Sequence, residues 1–128
     1  MRVRQLQNKT SLEALTLTER DDLHPGPEQV LIQMHAAALN YRDALVINGL
    51  YNPNLPLPFV PLSDGVGSIV AVGQNVTRVK PGDPVADIFA QNWLSGEMPE
   101  GILTLGADMV GVLAQRVVLH QDGVEEAL

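Results

Sequence analysis

The sequence predicts a mainly β, barrel-like domain, and three observations carry that expectation. The 128 residues are 45% hydrophobic but only 4% aromatic, so the interior must be built from Val, Leu, Ile and Ala, which favours packed sheets. Apolar residues recur with period two in several short runs. Pro and Gly, 9 and 11 of them, cut those runs into short pieces.

In chain order, residues 2–20 alternate loosely around the polar break Asn8-Lys9-Thr10-Ser11 and read as two short strands joined by a turn. Leu23 to Gln29 holds Pro25 and Pro27 around Gly26 and reads as a loop. From Gln29 to Leu39 a strand places Val30, Ile32, Met34, Ala36 and Ala38 on a core face and Leu31, Gln33, His35 and Ala37 on the other. Asn40 is a good N-cap for a short helix that closes near Gly49, with Asp43 in its first turn. The proline-rich segment 52–61 reads as extended surface chain. A strand from Val66 to Val79, bent near Gly73, leads to Lys80-Pro81-Gly82-Asp83, the pattern of a type II turn. Strands over Pro84 to Phe89 and Gly111 to His120 flank a loop at 91–110.

Charge and composition exclude several functions. A net charge of -7 with scattered acids argues against nucleic acid, whose phosphates demand clustered Lys and Arg. With no cysteine, disulfides, thiolate zinc sites and a cysteine nucleophile are all ruled out. The N-terminus lacks a signal-peptide h-region and no run approaches the ~18 apolar residues of a membrane span, so the expectation is a cytoplasmic protein without a membrane partner. The two Asn-x-Thr sites, at Asn8 and Asn75, are read as chance.

Pro61 to Gly73, PLSDGVGSIVAVG, is the most suggestive stretch. Its glycines do not form a dinucleotide fingerprint, because Val70 stands at the third glycine position and strand residues follow. Gly65, Gly67 and Gly73 are better read as places where a strand approaches or bends against its neighbours. Ser63-Asp64 lacks a recognisable histidine base, since His24, His35 and His120 sit in no catalytic context. Asp43, Asp64, Asp83 and Asp87 lack calcium-loop spacing and are expected mostly at solvated turn and cap positions.

The series VLIQMHAAALNYRD, GLY, PLSDGVGSIVAVGQNVTRVKPGDPV and GVLAQRVVL, in this order, resembles the N-terminal GroES-like domain of the medium-chain dehydrogenase/reductase superfamily, in its zinc-independent, quinone-oxidoreductase-like branch. The resemblance implies a partly open β-barrel with one or two short helices over residues 1–128. Zinc-dependent members carry Cys where Asn40 stands and Gly-His-Glu where Leu62-Ser63-Asp64 stands, so no metal is expected. It further implies that Asn40 and Tyr51 line the cleft facing the nicotinamide ring of NADP(H) or NAD(H), with Tyr41 beside them. Asn40 and Tyr41 are the expected catalytic residues, and Asn40 and Tyr51 the cofactor contacts. Leu45 replaces a tyrosine found in some quinone reductases, which weakens a quinone assignment.

The superfamily's Rossmann nucleotide-binding domain would follow Leu119, and HQDGVEEAL is too short to hold it. The expectation is therefore the substrate-side domain of a NAD(P)(H)-dependent oxidoreductase acting on a small-molecule carbonyl, quinone or activated alkene. It should bind no cofactor alone, should be inactive alone, and should have the Rossmann domain as its partner. A non-catalytic binding or self-associating module is the rival reading, and a co-chaperonin is a weaker third.

Overall fold

The computed structural model describes residues 1–127; Leu128, the last residue of the expected domain, lies outside the described residues. The N-terminal alternation becomes a hairpin of β1 (Arg2–Leu6) and β2 (Leu15–Glu19), paired from Arg2↔Glu19 to Leu6↔Leu15. Its connection carries a one-turn 3-10 helix at Leu12–Ala14. Five further strands, β3 (Gln29–Ala38), β4 (Asp64–Val72), β5 (Pro84–Asp87), β6 (Arg116–His120) and β7 (Val124–Glu126), form an antiparallel sheet in the order β6-β3-β4-β5-β7. Helix α1 (Tyr41–Ile47) is inserted between β3 and β4. The two sheets do not close on each other, which matches the expected mainly β, partly open architecture. No helix among the described residues is long and apolar enough to cross a membrane.

Val30, Ile32, Ile69, Val85, Val117 and Leu119 build the main core, and Leu62, Leu105 and Val112 cover it from the loops. A second cluster of Leu6, Val46, Ile47, Leu55, Phe59 and Ala107 fastens the hairpin and α1 to each other. Aliphatic side chains dominate both, as the low aromatic content requires.

Several boundaries differ from expectation. The strand placed at 66–79 begins at Asp64 and stops at Val72, because the chain turns at Gly73: the Asn75 N–H donates to the Pro27 carbonyl at 2.7 Å and the Val76 N–H to the Gly73 carbonyl at 3.2 Å. Residues 111–115 are not strand; the Gly111, Val112 and Leu113 N–H groups donate to the carbonyls of Val60, Leu62 and Pro61. Strand β5 ends at Asp87, two residues early, and β7 was not foreseen. In β3 the strict alternation fails, since Leu31 is buried beside Val30 and Ile32. Register shifts at Leu31/Ile32 and Met34/Ala36 re-aim the side chains there.

The proline-rich segment is extended but not purely surface. Leu55, Phe59 and Val60 are buried, and Leu6 and Phe59 exchange both backbone hydrogen bonds, at 2.7 and 3.0 Å. Proline excluded helix but left the intervening apolar side chains available for the second cluster. The turn at 80–83 is as predicted: Gly82 has φ +96° and the Asp83 N–H donates to the Lys80 carbonyl at 3.1 Å.

The glycines of β4 mark close approach, as expected. A Cβ on Gly67 would lie 2.9 Å from both the Gln33 carbonyl carbon and Ile32 Cγ2, so β4 could not keep its distance from β3. Gly67→Ala is therefore expected to lower the unfolding free energy by about 1–3 kcal/mol, as overpacking does. Urea denaturation monitored by far-UV circular dichroism measures the difference.

Candidate functional site

The site starts where β3 hands the chain to α1. Asn40 keeps an extended backbone, φ -113° and ψ 164°, and is the residue just before the first helical turn. Asp43, fully buried, folds back so that its Oδ2 accepts the Asn40 N–H at 2.8 Å. That contact fixes the entry angle of the helix. Tyr41, the first helical residue, then points into solvent at 81% exposure.

Antiparallel pairing brings the second half of the site. Ala38 is paired with Asp64, so Asn40, two residues on, reaches the opening residue of β4. The Asn40 amide donates from Nδ2 to Asp64 Oδ2 at 2.6 Å. Ser63, beside it, is buried at 3% exposure and is closed to a nucleophile's role as it stands. Asn40 thus converges with the start of β4, where an amide meets the Asp64 carboxylate next to buried Ser63.

Asp87 closes β5 on the far side of β4. Its carboxyl is pushed up to about 7, first by burial and then by the negative charge of Asp64, while the Gly65 N–H pulls in the opposite direction. Its Oδ2 is buried without a hydrogen-bond partner among the described residues. Protonation supplies what the environment lacks, since a neutral carboxyl costs less to bury than a carboxylate. The expectation of a solvated position is therefore wrong for Asp87; Asp43 holds its expected place in the first turn of α1 but is buried there. It holds for Asp83, whose Oδ2 accepts the Lys80 N–H at 3.0 Å in the turn and whose carboxyl is held below its usual range by that bond.

Tyr51 is tied to α1 through Arg42. The Arg42 guanidinium stands 4.6 Å from the Phe89 ring centroid and 5.5 Å from that of Tyr51. It also donates to Thr104 Oγ1 at 2.8 Å and to the Leu105 carbonyl. One cation therefore joins the helix, the Tyr51 segment and the 89–105 loop. Tyr51 itself is about half exposed, and among the described residues neither tyrosine hydroxyl has a hydrogen-bond partner. Sequence reasoning singled out Asn40, Tyr41 and Tyr51; it did not single out Arg42, and it expected Asp87 at a solvated position. The period-two pattern of β5 held the signal for Asp87, which shares a face with buried Val85.

The remaining polar candidates lie elsewhere. His35 shares a 2.8 Å contact with Ser68, and His120 lies 3.1 Å from Glu28, both exposed. Among the described residues no three His, Cys, Asp or Glu side chains are grouped to hold a metal ion.

Comparison with known proteins gives a consistent picture. The profile of the family described as alcohol dehydrogenase GroES-like domain matches residues 26–127. A zinc-type alcohol dehydrogenase-like protein of Schizosaccharomyces pombe is 47% identical over 74 residues, which are 58% of this chain and 21% of that protein. A chloroplastic quinone oxidoreductase of Triphysaria versicolor is 44% identical over 99 residues, 76% of this chain and 27% of that protein. A candidate alcohol dehydrogenase from Sinorhizobium meliloti superposes with a TM-score of 0.91 at 36% identity, covering 98% of this chain and 38% of the other. The chain thus spans about a quarter of the length of the curated relatives it matches.

The Asp87 carboxyl gives this site a pH signature. Its folded-state pKa of about 7 lies above the 3.8 of a free aspartate, so the folded chain binds the extra proton between those values. Stability contributed by this group is fully present near pH 4, falls as pH rises through about 7, and levels off above it. Asp87→Asn, which keeps a neutral side chain at every pH, should raise the melting temperature relative to the parent chain at pH 8 by a few degrees and leave it nearly unchanged at pH 4. Parallel thermal melts at the two pH values read that difference.

Proposed function

The chain belongs to the alcohol dehydrogenase GroES-like domain family, and on that premise we propose that it is the substrate-side domain of a zinc-independent, NAD(P)(H)-dependent oxidoreductase. Its substrates would be small carbonyl compounds, quinones or activated alkenes. The observation that carries the reading is the 2.6 Å bond from Asn40 to Asp64. Asn40 and Ser63 stand at the positions where zinc-dependent relatives carry the thiolate and imidazole that a zinc favours, and the Asn40 amide is spent on the neighbouring Asp64 carboxylate instead.

The residues present fit the nicotinamide end of a dinucleotide. Nicotinamide cofactors supply the hydride in such reactions. Asn40 is exposed and spends one amide hydrogen on Asp64, which leaves the other to hydrogen-bond a carboxamide or substrate carbonyl. The Tyr51 hydroxyl is the second contact, with its ring steadied by Arg42. Tyr41, at the first helical position, offers a phenol to the substrate oxygen. Asp64 keeps the Asn40 amide in one orientation, so its donor faces the cleft rather than rotating. Asp87 sits behind this pair and lowers the negative charge of the site whenever it holds its proton.

Binding energy for a dinucleotide resides mostly in its pyrophosphate and riboses, and the glycines of β4 are strand residues with no phosphate-cradling helix after them. A Rossmann domain is the proposed partner for that task. Exposed Leu39 and Leu50, 72% and 75% accessible, flank α1 and would be covered by it. The same residues would drive self-association if the chain serves as a non-catalytic module.

Cofactor-binding and turnover assays on the chain alone and fused behind β7, after Ala127, to a relative's Rossmann domain test the proposal. The chain alone should neither bind NADPH at micromolar concentration nor oxidise it, because about 7–11 kcal/mol of positioning is forfeited. The fusion should do both. Asn40→Ala combined with Tyr51→Phe should lower its turnover about tenfold or more and change NADPH affinity by less than about threefold. Micromolar NADPH binding by the chain alone, or turnover indifferent to both substitutions, contradicts the reading.

A further inference from the structure

The chain's few cations are unevenly placed. Of its 8 Lys and Arg residues, Lys80 pairs with Asp83 and Arg78 lies 3.9 Å from Asp122. Arg20 and Arg116, distant in sequence, both line one cavity of about 240 Å³ between the hairpin, β6 and the 110–114 segment. Its other walls are apolar, with Val3, Val60, Val112, Val117 and Leu119 among them, and no acidic residue lines it. None of Asn40, Tyr41, Tyr51, Asp64 or Asp87 takes part.

Each guanidinium is held by a glutamine, one on β1 and one on β3. Arg20 donates from Nε to Gln5 Oε1 at 2.7 Å, and Gln5 is itself buried at 3% exposure and donates to Gln7 Oε1 at 2.7 Å. Arg116 donates from Nε to Gln33 Oε1 at 3.1 Å. Among the described residues no carboxylate stands at ion-pair distance from either; Glu19 and Asp22, neighbours of Arg20 in sequence, turn to the N-terminal amine at 3.5 and 3.3 Å. Neutral anchors on Nε leave the terminal nitrogens of each fork to meet an anion, the geometry in which arginine binds carboxylates. Arg20 also satisfies buried Gln5, but in a chain of net charge -7 two arginines without carboxylate partners stand together at one apolar cavity.

We propose that this cavity binds a small organic monocarboxylate, its apolar body among the valines and its carboxylate between Arg20 and Arg116. The volume sets the size. A dry apolar cavity of about 150 Å³ accepts benzene, and drug-sized ligands need upwards of about 300 Å³, so about 240 Å³ suits a body of six to eight carbons. A longer chain would protrude. A diacid would bring a second charge into apolar walls and be rejected.

Titration of the chain with hexanoate and phenylacetate, followed by amide NMR shifts and calorimetry, tests the site. Saturable binding with a dissociation constant of about 1 mM or tighter is expected, with shifts confined to Val60, Val112 and residues 117–119. Hexanol, which lacks the charge, should bind at least tenfold more weakly. Arg116→Gln, at an exposed side chain, and Arg20→Lys, which keeps a donor for buried Gln5 but loses the fork, should together reduce hexanoate binding to near the level of hexanol and leave hexanol unchanged, with the far-UV circular dichroism of the parent chain. Val110→Trp at the mouth should abolish both. No saturation by 10 mM acid, shifts elsewhere on the chain, or affinity unaffected by the double substitution overturns the proposal.

Discussion

The close approach of β3 and β4 is the constraint on which the rest of the structure depends. Gly67 has room for no side chain against the Gln33 backbone, and Gly65 would drive one into Met34 and Val112. Those absences let the two central strands of the sheet sit together with Ala38 opposite Asp64. From that register follows the position of Asn40, and from Asn40 the start of α1. A slip of one residue would carry Asp64 to the other face and separate the amide from the carboxylate.

Electrostatics then divide the site. Asp64 stands with an amide donor, whereas Asp87 sits behind it in a drier position and answers with a raised affinity for a proton. Arg42 is the only cation bound into this region among the described contacts, and it is turned toward aromatic rings and the Thr104 and Leu105 oxygens rather than toward the carboxylates. Its work is mechanical, holding Tyr51 and the 89–105 loop to the helix. The site thus combines the Asn40 amide with two acids of different character, Asp64 and Asp87, and keeps Arg42 turned away from both.

Local chemistry explains which parts of this were legible in the sequence. The type II turn at Lys80–Asp83, the N-cap at Asn40 and the structural reading of the β4 glycines are decided by residues within a few positions of one another, and each is found as expected. Residues 111–115 failed because their β-like pattern is satisfied by pairing with Val60, Pro61 and Leu62, fifty residues away. Leu31 is buried because bulges interrupt β3, and no composition rule marks a bulge. At the site, Asn40, Tyr41 and Tyr51 came from resemblance. The Asn40–Asp64 bond and the burial of Asp87 are products of sheet pairing, so local pattern could hint at them only through the alternation of β5.

The central claim is that the amide and carboxylate at the heart of the site bond to each other instead of holding a metal. Metal analysis of the chain after expression in zinc-supplemented medium and exhaustive dialysis tests it most directly. The account predicts zinc below about one tenth of an equivalent per chain, as a site without thiolate or imidazole ligands should retain. Near one equivalent of zinc, lost on Asn40→Ala or Asp64→Asn, would contradict it.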